Sequence, residues 1–224
     1  MSIAENISTL KKNLPEEIAL VAVSKTKPIE DLQEAYNAGQ RIFGENKIQE
    51  MTDKWEALPK DIQWHMIGHV QTNKVKYMAP YVHLIHAVDS FKLLKEINKQ
   101  AAKNNRIIHC LLQLKIAEED SKFGLSLPDL KEIIFSNELQ NLNHICITGL
   151  MGMATLTSDE SQLKKEFTFL KNTFDSLKKE INLSKKIKLE TLSMGMSGDY
   201  PIAISCGSNM IRVGSAIFGA RNYN

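Results

Sequence analysis

A chain of 224 residues with 43% hydrophobic and 24% charged side chains is long enough to bury one large core, and it has the profile of an ordinary globular protein. Lysine and arginine number 28 against 26 acidic residues, so the net charge of +2 gives no reason to expect a nucleic acid or an acidic partner. No apolar run reaches the roughly 18 residues of a membrane span. Cys110, Cys146 and Cys206 lie far apart among apolar or small residues, without metal-ligand or CxxC spacing. Reduced thiols in a cytoplasmic protein are therefore expected, with no metal site and no disulfide.

The chain opens on MSIAENISTLKKNLPEEI, a short polar amphipathic helix without the apolar centre of a secretory leader. From there short apolar runs alternate with longer amphipathic ones, the pattern of parallel strands joined by crossover helices. Strands are expected at Leu20 to Val23, Arg41 to Phe43, Gln63 to Ile67, His83 to Val88, Ile107 to Leu114, His144 to Gly149, Ile187 to Leu192 and Met210 to Val213. Their continuous hydrophobicity suits burial on both faces.

The intervening helices are marked by their spacing. Pro28 suits the first turn of the helix after the first strand, and Gly39 lies just past its end. Phe91, Leu94, Ile97 and Ala101 mark a helix beginning after Asp89 and Ser90. Leu163, Phe167, Leu170, Phe174, Leu177 and Ile181 step by four and three, with Thr157 and Glu160 placed as a capping box. No linker or low-complexity tract divides the chain, so residues 1–224 are expected to form a single domain. Eight β/α units predict a (β/α)8 TIM barrel of the α/β class; an open doubly wound sheet is the alternative, although no GxGxxG or Walker A segment supports it.

In such a barrel the site lies where the strands end. Lys25 closes the run Ala19 to Ser24. A lysine there must either reach out of the barrel mouth or lose its charge, and a desolvated amine can attack an aldehyde. Position alone also fits a solvated loop lysine. Gly44-Glu45-Asn46 follows the second expected strand and Gly68-His69 the third, and polar groups there suit a ligand. His65 lies inside a strand, where a satisfied core histidine is the simpler reading.

Towards the C-terminus, Ser193-Met194-Gly195-Met196-Ser197-Gly198-Asp199-Tyr200 follows the seventh strand, with a helix expected to start at Ser197 or Gly198. Gly214-Ser215 follows the eighth. Hydroxyls and amides at these two strand ends can clamp one phosphate. Arg212 sits within the eighth strand, where it must pair with a core carboxylate or face a ligand.

These motifs together resemble the pyridoxal phosphate homeostasis protein family. The likeness runs through VAVSKTKP (21–28), FGENKIQE (43–50), WHMIGHVQTNK (64–74), HAVDS (86–90), SKFGL (121–125), GLMGM (149–153), LSMGMSGDY (192–200) and IRVGSAIFGAR (211–221). The resemblance implies a barrel like the N-terminal domain of alanine racemase, carrying pyridoxal 5'-phosphate as a Schiff base on Lys25. It further implies that Ser197, Gly214 and Ser215 hold the phosphate and that Arg212 faces the pyridine nitrogen, with Asn46 and Ser193 as further neighbours. An arginine there disfavours protonation of the ring and weakens it as an electron sink.

Alanine racemase uses a second acid/base tyrosine from another domain and subunit, whereas this chain ends at Asn224. The tyrosine that racemase carries four residues after its lysine is Ile29 here. The expectation is a monomeric vitamin B6 homeostasis protein that holds the cofactor without turnover and passes it to pyridoxal phosphate-dependent apo-enzymes, with no nucleic acid or membrane partner. The alternatives are a weak amino-acid racemase, with His65 or Tyr200 standing in for the missing base, and a barrel for some other phosphorylated ligand in which Lys25 is only an ion-pair donor.

Overall fold

The computed structural model describes residues 2–119, 123–181 and 186–220. Ser121, Lys122 and Arg221 of the motif blocks lie outside the described residues. In the first half the elements are α1 (Ile3–Asn13), β1 (Ala19–Val23), α2 (Ile29–Asn37), β2 (Ile42–Glu45), α3 (Ile48–Ala57), β3 (Gln63–Met66), α4 (Val75–Met78), β4 (Leu84–Val88) and α5 (Phe91–Lys103). The second half adds β5 (Ile108–Gln113), α6 (Leu127–Phe135), β6 (Ile145–Met151), α7 (Glu160–Glu180), β7 (Ile187–Met196), α8 (Tyr200–Ser205), β8 (Met210–Val213) and α9 (Ser215–Phe218).

The strands pair in parallel in sequence order and close, β1 lying beside β8 with Val21 opposite Arg212 and Ala22 opposite Val213. The barrel is therefore the TIM architecture, and the open-sheet alternative falls. Its two core layers follow from strand alternation. The larger cluster packs strand residues such as Phe43, Trp64, Ile85 and Leu112 against the helices. Val21, Leu84, Ala87, Leu111, Met151 and Met210 form a smaller cluster drawn from strands alone, the inward set. Asn6 Nδ2 of α1 donates to the Ile217 carbonyl of α9 at 2.9 Å, joining the two ends of the chain across the closure.

Several boundaries differ from the expected ones. Strand β2 runs on to Glu45, so Gly44 and Glu45 lie within it rather than after it. Strand β7 continues through Ser193 and Gly195 to Met196, because Ser193 and Met196 pair with Met210 and Arg212 of β8. The helix expected at Ser197 or Gly198 starts at Tyr200 instead; Asp199 Oδ1 accepts the Met196 amide at 2.5 Å and closes a turn first. Pro28 stands one residue before α2, and Gly39 follows that helix with φ +85°. Asp159, not Thr157, caps α7. Its carboxylate accepts the Ser161 and Gln162 amides, while Thr157 Oγ1 accepts the Asp159 amide at 3.1 Å. Helix α5 begins after Ser90 as expected, and the Ser90 side chain caps it.

Cys110 and Cys146 are buried and Cys206 half-buried, all three unbridged. Burial pushes the Cys110 thiol far up from its ordinary range. Among the described residues no helix is long and apolar enough to cross a membrane.

Candidate functional site at the C-terminal barrel mouth

A cavity of about 590 Å³ opens at the C-terminal ends of the strands, within the range of small-molecule sites. Lys25, Asn46, Ser197, Arg212, Gly214 and Ser215 all line it. Of the expected neighbours only Ser193 does not: its side chain is fully buried in β7, where it contacts Arg212 instead.

Lys25 follows β1 in a tight turn, half-buried. The next residue, Thr26, has φ +64°, a conformation that β-branched residues rarely adopt. A buried cluster beneath the turn holds this geometry. Glu50 Oε1 accepts the Thr26 amide at 2.5 Å, and Lys54 Nζ donates to Glu50 Oε1 at 2.7 Å, to Glu45 Oε1 at 2.8 Å and to the Ser24 carbonyl at 2.8 Å. Ser24 Oγ also donates to Glu45 Oε1, at 2.6 Å. Burial raises Glu45 to about 6 despite the ammonium of Lys54 beside it. Its other oxygen, Oε2, is buried with no partner among the described residues. Sequence reasoning missed this cluster, whose only local traces are a carboxylate ending an apolar strand and the Glu50–Lys54 pair at helical spacing.

Beside β1, at the ends of β7 and β8, Ser197 Oγ accepts the Gly214 amide at 3.2 Å, which leaves its hydroxyl hydrogen available to a ligand. Ser215 opens α9 beside it. Lys27 Nζ donates to the Phe218 carbonyl at 2.7 Å and the Ala220 carbonyl at 3.2 Å, so the loop after β1 grips the end of α9. The close approach at Gly68 brings β3 against the residue after β2: a Cβ there would lie 2.4 Å from the Asn46 carbonyl oxygen. That glycine serves proximity rather than a left-handed turn.

Arg212 is 4% exposed, and among the described residues no carboxylate lies within salt-bridge distance of it. The guanidinium donates to Ser193 Oγ at 2.7 Å and to the Gly152 carbonyl at 3.1 Å. Burial lowers it to about 10, with Asp199 opposing. Among the described residues, then, Arg212 has hydroxyl and carbonyl partners rather than a carboxylate.

Behind Ser193 the chain of polar contacts continues into the barrel. His86 Nδ1 lies 3.1 Å from Ser193 Oγ, and His86 Nε2 lies 3.0 Å from His65 Nδ1. Because a guanidinium only donates, Ser193 must accept from Arg212 and is left to donate to His86 Nδ1. Both histidines then carry their hydrogen on Nε2. His65 Nε2 is buried and unpartnered among the described residues. Burial depresses His65 to about 3 and His86 well below the ordinary histidine range. His65 is thus a buried core histidine, linked to the site only through this chain.

The cavity also gathers residues that sequence reasoning left aside or named only in passing. His69, Gln113 and Phe123 line it, His69 having stood out only as a polar group after the third strand. Neither His65 nor Tyr200 lines it. With this geometry the barrel mouth offers an amine, hydroxyls with backbone amides, and a buried cation around one ligand-sized space.

Comparisons with known proteins identify the family. The family described as alanine racemase, N-terminal domain, matches residues 1–222. Proteins named pyridoxal phosphate homeostasis protein are similar along the chain. The one from Pasteurella multocida is 36% identical over 237 residues, spanning 100% of both chains; that of Aquifex aeolicus is 39% identical, spanning 91% of this chain and 87% of its own. Among solved structures, PipY of Synechococcus elongatus is 34% identical, with 97% of this chain and 100% of that chain covered. The TM-score is 0.90 without PLP and 0.87 with PLP bound. Alanine racemase from E. faecalis, at 18% identity and a TM-score of 0.75 over 98% of this chain and 58% of its own, shares the fold. The chain belongs to the pyridoxal phosphate homeostasis protein family, built on the alanine racemase N-terminal barrel.

Proposed function

We propose that this protein binds pyridoxal 5'-phosphate as a Schiff base on Lys25 and serves the homeostasis of that cofactor without substrate turnover. The observation that carries the reading is the convergence of Lys25, Ser197, Gly214, Ser215 and Arg212 on one cavity from β1, β7 and β8. The donor set fits the group: an amine for the aldehyde, hydroxyls and amides for the phosphate, and a guanidinium for the ring nitrogen. When bound, the cofactor supplies an electrophilic carbon and an electron-accepting ring. Arg212, fixed from behind by Ser193, would disfavour protonation of that ring and so limit its use as an electron sink. Asn46 would neighbour the ring, and Ser193 would act through Arg212 rather than by contact.

Among the described residues lining the cavity there is no tyrosine and no carboxylate, and this supports holding over racemisation. The racemase reading survives only with His69 as its base, since His65 and Tyr200 do not line the cavity. Absence of cofactor-dependent α-proton exchange into deuterated solvent by L-amino acids would remove it. In the proposed role the protein acts in the cytoplasm as a monomer of 25.3 kDa and passes the cofactor to apo-enzymes that depend on it. Sedimentation as a dimer, or transfer no faster than free release, would overturn those parts.

The central test is borohydride reduction of the protein mixed with pyridoxal 5'-phosphate, followed by peptide mass mapping. A stable adduct concentrated on Lys25 is expected, together with loss of the visible absorbance in Lys25→Ala. An adduct scattered over surface lysines, with none on Lys25, overturns the reading.

A further inference from the structure

At the rim of the cavity His69 Nδ1 lies 3.0 Å from Asp89 Oδ2. A carboxylate can only accept, so the imidazole hydrogen sits on Nδ1 and the Nε2 lone pair is left to act as a base. The ring is braced on its face by Phe123, with centroids 4.4 Å apart and planes inclined by 19°. Phe123 is held in turn, its carbonyl accepting from Gln113 Nε2 at 2.7 Å. The following residue, Gly124, has φ +144°, and a Cβ on it would lie 2.6 Å from the Lys115 amide nitrogen, so this bend of the loop demands glycine.

A histidine oriented by a carboxylate and seated in a ligand cavity has the geometry of a proton-transfer group. Among the described residues, the other titratable side chains lining the cavity are Lys25, Lys27 and Arg212, all cationic types. With its Nε2 lone pair not committed to Asp89, His69 is the side chain among them suited to take up and return a proton.

We propose that His69, positioned by Asp89 and Phe123, is the proton-transfer residue for amine-driven release of the cofactor from Lys25. This rests on the reading of Lys25 as the cofactor's anchor. An incoming primary amine arrives as an ammonium and must lose a proton before it can attack. His69 Nε2 takes that proton. The amine nitrogen then bonds to the carbon held by Lys25 as the π pair of that carbon–nitrogen double bond moves onto Nζ. A second proton passes from the incoming nitrogen to Nζ, the remaining C–Nζ bond breaks with its electron pair going to Nζ while the lone pair of the incoming nitrogen makes the new double bond, and His69 returns its proton to the Lys25 amine. Two protons move from the incoming ammonium to Lys25, one of them by way of His69; nothing is oxidised or reduced, and His69 ends as it began. A holding protein equipped in this way surrenders its cofactor to amines faster than to water.

The experiment loads the protein with pyridoxal 5'-phosphate and follows the loss of bound absorbance, normalised to the loaded fraction, as L-alanine is added from pH 5.5 to 8.5. In the unsubstituted chain the alanine-dependent rate is expected to depend less steeply on pH than the fraction of alanine present as free amine. His69→Gln should slow that rate by about 10- to 100-fold, within what a positioned base contributes, and should follow the free-amine fraction instead. Asp89→Asn should slow it less, and it carries the test if His69→Gln does not load. An unchanged rate and profile in the variants overturns the role of His69 while Lys25 labelling leaves the anchor intact. Failure of the unsubstituted chain to label at Lys25 is the separate result that overturns the anchor.

Discussion

At the scale of single residues, the site depends on groups whose partners are far away in sequence. Ser193 is bonded at once to Arg212, 19 positions on, and to His86, 107 positions back. Ser193→Ala leaves a buried Arg212 N–H and His86 Nδ1 each short of a partner, which costs about 1–3 kcal/mol. Urea unfolding monitored by fluorescence should show this loss with an unchanged slope. The same variant should also weaken cofactor retention, since among the described residues Arg212 then keeps only the Gly152 carbonyl as a partner; full retention would show that Ser193 does not position it. Lys25 itself was legible from its place at the end of an apolar run, and Arg212 from being a guanidinium in a buried strand. His69 was legible only as a polar group at a strand end, because what distinguishes it is Asp89, 20 residues away on the next strand's loop.

At the scale of elements, apolar spacing predicted the existence of strands and helices well and their ends less well. Helix α7 illustrates the difference. Leu163, Phe167, Leu170, Phe174 and Leu177 are all buried as their spacing demands, yet the cap is Asp159. A Thr and a Glu three apart make a capping box only if the backbone between them starts the helix there. Here Thr157 instead closes a turn on the Asp159 amide. Asp159→Ala should therefore destabilise by about 1 kcal/mol, and Thr157→Ala by less than about 0.5 kcal/mol. Thermal melts of the two variants check the order. Strand β7 shows the converse error. Ser193 and Gly195 look like loop residues in a linear reading, but pairing with β8 extends the strand through them.

At the scale of the whole molecule, closing the barrel encloses titratable groups and so ties stability to pH. His65 falls from an ordinary 6.5 to about 3 and His86 is also depressed. A lowered folded value means that their contribution is fully present above about pH 6.5 and is lost progressively as the pH falls towards 3. For His65 alone the loss reaches about 2 kcal/mol at pH 5. Glu45 has the opposite sign. Raised from 4.5 to about 6, its contribution is present below 4.5 and lost as the pH rises through 6, so acidification returns about 2 kcal/mol over that interval. His83 and His109 are lowered as well and Asp199 is raised, so four histidines stand against two carboxylates and the urea midpoint should still fall between pH 7 and pH 5. Glu45→Gln, lacking the offset, should make the fall steeper; a midpoint independent of pH in the native chain would contradict the burial of these groups.

The sequence by itself determined the alternation of apolar runs and amphipathic helices, and with it the eight-stranded barrel and the end at which a site must lie. It also determined which reactive residue types stand at the strand ends, because each of these follows from near neighbours in the chain. The tertiary structure alone decided what those residues touch. The Lys54–Glu45–Glu50 cluster beneath the turn at Lys25, the path from Arg212 through Ser193 to His65, and the pairing of His69 with Asp89 each join residues of different elements that packing brings together. Hydrogen bonds and burial depend on distances in space, and periodicity along one chain carries no record of them.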